Sequence, residues 1–61
     1  DESAISPIQE YLAHPEPMLR AHAAWALGEI SGARAHAALE NAAGREAVAD
    51  VQKEIETALA G

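Results

Sequence analysis

The run His14-Pro15-Glu16-Pro17-Met18-Leu19-Arg20-Ala21-His22-Ala23-Ala24-Trp25-Ala26-Leu27-Gly28 decides the fold. Pro15 disfavours helical geometry at His14, and Pro17 suits a first helical position, so a helix is predicted to end before this point and another to start near Pro17. From there Leu19, Ala23, Ala26, Leu27 and Ile30 recur at helical spacing. Met18, His22 and Trp25 form a second stripe, and Ala21, Ala24 and Gly28 a third of small residues that would let another backbone come close. Between Met18 and Ile30 only Arg20 and Glu29 carry formal charge. Such a helix has almost no face suited to water and is expected in the middle of the molecule, covered on more than one side. Trp25, the largest side chain available, is expected to fill space between helices, or else to meet an upstream domain, which would leave it partly exposed here. His22 is expected to be packed.

The prolines and glycines divide the chain into four predicted helices with very short connections, and no strand pattern competes. Ser6-Pro7-Ile8-Gln9 reads as a capping box opening the first helix, which carries Ile8, Tyr11 and Leu12 on one side and stops near His14. Ser31-Gly32 breaks the second helix from a third over Ala33 to Ala43, with Ala35, Ala38, Leu39 and Ala42 inward and Gly44 just past its end. The last helix, roughly Ala47 to Ala60, turns Val48, Val51, Ile55, Ala58 and Leu59 inward. Its other side carries Asp50, Lys53, Glu54, Glu56 and Thr57, which is how a helix at the end of an array would look.

An internal repeat organises these helices. An offset of 32 residues pairs Leu19 with Val51, Arg20 with Gln52, Ala23 with Ile55, Ala26 with Ala58 and Leu27 with Leu59. A weaker offset of 31 pairs Ile8 with Leu39 and Tyr11-Leu12 with Ala42-Ala43. Repeats of this length built from helix pairs mark an α-solenoid. The expected fold is all-α, one domain over residues 1–61, with two antiparallel helix pairs.

The quoted run resembles a HEAT-like repeat in its proline, apolar-Arg and Ala-Leu-Gly positions. More particularly it is similar to the C-terminal HEAT-like domain of epoxyqueuosine reductases, as is the closing Val51-Gln52-Lys53-Glu54-Ile55-Glu56-Thr57-Ala58-Leu59, although Gln52 stands where such repeats often have Arg. That resemblance implies a cytoplasmic parent protein acting in tRNA queuosine modification, with iron–sulfur clusters and a cobalamin housed upstream. This chain would be its non-catalytic C-terminal module, with the upstream domain, and tRNA through the full-length protein, as partners. The resemblance also implies that Arg20 pairs with acidic groups along the array. A HEAT-like protein-binding scaffold of a regulatory or lyase-type repeat protein is the alternative reading.

Composition narrows the functional classes. A chain of 61 residues buries only about 60% of the surface its unfolded form exposes, so a self-contained enzyme is not expected. Sixteen of the hydrophobic residues are alanine, which leaves fourteen larger side chains and a thin core. The formal charge of −6 gives no positive field for phosphate backbones. Without cysteine there is no disulfide, zinc-thiolate or iron–sulfur ligation within these residues. No apolar run approaches the length needed to span a bilayer. Asp1 in place of an initiating Met is read as a fragment or processed product, and exposed apolar surface on the first two helices is expected to promote self-association.

No catalytic, cofactor or metal site is expected. His14, His22 and His36 lie too scattered for metal ligation, Ser3, Ser6 and Ser31 fall at caps or turns, and Glu54 and Glu56 lie on a hydrated face. The candidate contact residues are His14, Met18, Arg20, His22 and Trp25. Arg20, four residues after Glu16, is expected to pair with Glu16 or Glu10 while its stem covers Leu19.

Overall fold

The computed structural model describes residues 5–61, and Ser3 lies outside them. Four α-helices follow in order: α1 Ile5–Tyr11, α2 Pro17–Ile30, α3 Gly32–Ala43 and α4 Ala49–Ala60. No strand occurs among the described residues. α1 with α2 and α3 with α4 form two antiparallel hairpins laid side by side. The most extensive contact is between α2 and α4, whereas α1 and α3 meet only lightly. The alanine-rich sequence explains that asymmetry, since the third stripe of α2 meets α4 with almost no side chain between them. A Cβ built at Gly28 would lie 2.9 Å from the Cβ of Ala58.

The core gathers Ile5, Leu12, Leu27, Leu39, Val51 and Ile55 with Ala23, Ala24, Ala35, Ala38 and Ala42. The inward residues expected for α3 are all buried. Leu19, Ala26, Ile30, Val48, Ala58 and Leu59 are half-buried.

The helix ends depart from expectation for identifiable reasons. Ile5 is buried and already helical, so Ser6 is a residue of the first turn and does not cap α1. Pro7 remains tolerable there because first-turn N–H groups have no intrahelical acceptor. α1 closes at Tyr11, and Leu12, Ala13 and His14 continue in tighter turns, each N–H donating to the carbonyl three residues back at 3.1 Å. Glu16 caps α2, its Oε1 accepting from the Met18 N–H at 3.4 Å. The link from α2 to α3 is Ser31 alone, at φ 57° and ψ −170°, a strained conformation for a non-glycine residue, followed by Gly32 at φ 91°. Gly44 stands past the end of α3 as expected, yet in right-handed geometry. Arg45 and Glu46 both donate backbone N–H bonds to the Ala42 carbonyl, so the turn stays wound before Val48 opens α4.

The expected packing of His22, and of Trp25 between helices, is overturned. Tyr11 is half exposed, and the Met18, His22, Trp25 stripe faces solvent, with Met18 65% and Trp25 58% exposed. Neighbours occupy three sides of α2, namely α1, α3 and α4. Among the described residues no further helix covers the remaining side.

Candidate interaction surfaces and the tie between hairpins

Arg20 is the most constrained polar side chain. It leaves the first turn of α2 toward the bend between α1 and α2, where Nη1 donates to the His14 carbonyl at 2.7 Å and the Pro15 carbonyl at 3.1 Å. The rest of the guanidinium crosses to the second hairpin. Nε donates to Glu46 Oε1 at 2.8 Å and Nη2 to Oε2 at 3.0 Å, a bidentate fork. Glu46 Oε2 also accepts from the Val48 N–H at 3.0 Å, so one carboxylate helps open α4 and receives the neighbouring hairpin's arginine. Side-chain exposure is 16% for Arg20 and 5% for Glu46, which shields the pair from water. The hydrogen bonds from Arg20 hold the Glu46 carboxyl below the usual carboxylate range against the opposing effect of burial, and the Glu46 bonds raise the arginine further. The partner is therefore Glu46 and neither Glu16 nor Glu10. Glu16 is already engaged as the cap of α2.

The 32-residue register reappears in these bonds. Gln52, the counterpart of Arg20, donates from Nε2 to the Glu46 carbonyl at 2.9 Å and the Ala43 carbonyl at 2.8 Å. Arg20 to the His14 carbonyl and Gln52 to the Glu46 carbonyl are thus the same bond in successive hairpins. His14, the counterpart of Glu46, likewise accepts through Nδ1 from the N–H two residues on, that of Glu16, at 3.0 Å. Each hairpin ties its own bend in the same way. Only Arg20 is long enough and charged to reach the next hairpin as well.

Three outer faces follow from the same register. On α1 and α2 an apolar groove runs between Ile8, Tyr11, Leu19, His22, Ala23 and Ala26. Of its counterparts in the second hairpin, Leu39, Ala42, Val51 and Ile55 are buried. The opposite end is polar. Ala21, Ala24 and Gly28, which receive α4, correspond to Lys53, Glu56 and Ala60, all exposed. The third face is the outer side of α2 and α4, where Met18, His22, Trp25 and Glu29 correspond to Asp50, Glu54, Thr57 and Gly61.

Of the five candidate contact residues, Met18, His22 and Trp25 therefore share one exposed face, while His14 and Arg20 meet at the first bend. Packed His22 was the wrong expectation. Glu46 was missed, although the repeat could have revealed it, because aligning Arg20 with Gln52 also aligns the turn at His14 with the turn at Glu46. His36 is exposed on α3, with Nε2 3.4 Å from Glu40 Oε2 one turn on. Among the described residues no group of three or more His, Asp or Glu could hold a metal ion, and no helix is long and apolar enough to cross a membrane.

A family model described as HEAT repeats matches residues 1–60. No curated protein and no solved structure matches the chain.

Proposed function

The chain belongs to the HEAT-repeat family, and from that membership we propose that it is a non-catalytic interaction module closing one end of a helical stack and receiving a further helix pair at the other. The unequal end faces carry this reading. The groove leaves Tyr11 exposed and Ile8 and Leu19 half-buried where the register buries Ala42, Leu39 and Val51, while Lys53 and Glu56 stand where the register would need the small residues Ala21 and Ala24. A following hairpin could not approach a surface carrying those two long charged side chains without taking both out of water. A preceding hairpin finds an apolar surface already shaped. Stacked repeats stabilise one another through such contacts, and a polar outer face is what ends an array.

The groove is tested with the chain itself. The native protein is expected to bind a hydrophobic dye such as anilinonaphthalene sulfonate and to self-associate with rising concentration in sedimentation. Leu19→Asp is expected to lose both while keeping its helical circular dichroism. A native protein that stays monomeric and binds no dye would remove the groove as an interaction face.

We further propose that the parent protein is epoxyqueuosine reductase-like, with this module packed on its catalytic part. The support is the spelling of His14 to Gly28 and of Val51 to Leu59. The reading frame upstream of Asp1 decides it: a Cys-x-x-Cys-x-x-Cys-x-x-x-Cys-Pro run there supports the enzyme. Further repeats of about 30 residues in its place would make the chain part of a protein-binding scaffold.

A further inference from the structure

Trp25 projects from the face of α2 that none of the other described helices covers, and it does not belong to the groove described above. It lines a recess of about 260 Å3 between α2 and α4, together with Gly28, Glu29, Glu54, Thr57 and Ala58. The recess exists because Gly28 and Ala58 bring the two helices into near-backbone contact, leaving the longer side chains on either side to stand up as walls. On one wall is an indole 58% exposed. On the others are the carboxylates of Glu29 and Glu54, each placed by the helical repeat beside the aromatic ring or across from it. Asp50, one turn before Glu54 on the same face of α4, extends the negative side. None of the four basic residues lines the recess. Arg20 is held by Glu46, and Lys53 stands on the far side of α4 with Glu56.

We propose that this recess is a docking site for an arginine- or lysine-bearing segment of another protein. A guanidinium or ammonium group over an indole face is attracted by the ring quadrupole, and arginine adds planar stacking. Glu29 and Glu54 then accept its N–H groups, while the methylene stem of the same side chain covers the floor made by Gly28 and Ala58. The volume suits this occupant, because small-molecule sites span about 300–1,000 Å3 and this recess falls below that range, leaving room for one long side chain. The charge of −6 favours a cationic segment at long range and disfavours a nucleic acid that would stack a base on the same indole.

Trp25 is the only tryptophan, so its fluorescence reports the site directly. The experiment titrates the 61-residue protein with hexa-arginine, with hexa-glutamate and oligothymidylate as comparison ligands. Hexa-arginine is expected to change the emission saturably, and the other two to leave it unchanged. The double variant Glu29→Gln, Glu54→Gln is expected to bind hexa-arginine about tenfold more weakly. The variant Glu40→Gln, Glu56→Gln makes the same change in net charge away from the recess and is expected to bind as the native protein does. Circular dichroism establishes that both variants are folded. Equal weakening by the two double variants would reduce the effect to net charge and overturn the proposal. So would the absence of a saturable response to hexa-arginine, or an equal or stronger response to oligothymidylate, which would make Trp25 a base-stacking platform.

Discussion

Arg20 and Gln52 occupy the same register position and perform the same local task, yet they differ in what they join. A glutamine amide satisfies two carbonyls of its own bend, whereas the guanidinium has donors left over and reaches the Glu46 carboxylate in the next hairpin. Among the described residues, that difference gives one ionic tie between hairpins. Because Glu46 is held below its unfolded pKa, its contribution to stability is complete above the ordinary carboxylate value of about 4.3. It shrinks as pH falls through the window between the unfolded and the depressed native values, and is gone below both. Glu46→Gln is therefore expected to lower the thermal midpoint at neutral pH by several degrees and to flatten the acid limb of the midpoint–pH curve. A variant whose curve parallels the native one would show that other carboxylates carry the acid response. The identity of the arginine's partner was not legible from neighbouring residues, because Glu16, in helical range, is drawn off to cap α2.

At the scale of elements, helix positions were readable because proline and glycine act on the backbone locally. Pro15 and Pro17 set the start of α2, and Ser31-Gly32 its end. The cap of α1 was misjudged for a tertiary reason, since burying Ile5 extends the helix past the serine that would have capped it. Between α2 and α4 the spacing is set by a missing side chain. Gly28→Ala would gain about 1 kcal/mol in helix propensity, but the added Cβ would sit 2.9 Å from Ala58 Cβ, so the helices must separate. A net loss of about 1–2 kcal/mol is expected. Ala58→Gly in the same chain should restore much of it, and a double-mutant cycle by chemical denaturation measures the coupling. Additive effects would mean that the two positions do not limit the approach.

For the molecule as a whole, six large buried side chains and a set of alanines hold everything together, so single core losses should be felt globally. Leu27 is fully buried in the one hydrophobic cluster to which all four helices contribute. Leu27→Ala is expected to cost about 2–5 kcal/mol, against about 3–9 kcal/mol of total stability for a chain of this size. The variant should be largely unfolded by circular dichroism at 37 °C, and a midpoint within a few degrees of native would contradict the single small core. The sequence by itself determined four helices, their two-by-two pairing, the inward faces of α3 and α4 and the 32-residue register, because helical periodicity and backbone punctuation are local properties carried by each segment. Tertiary structure alone decided that Trp25 and His22 face water and that Arg20 chooses Glu46. Exposure depends on how many neighbours surround a helix, and two hairpins leave α2 one side short. An ion pair forms between groups that packing brings together, however far apart they lie along the chain.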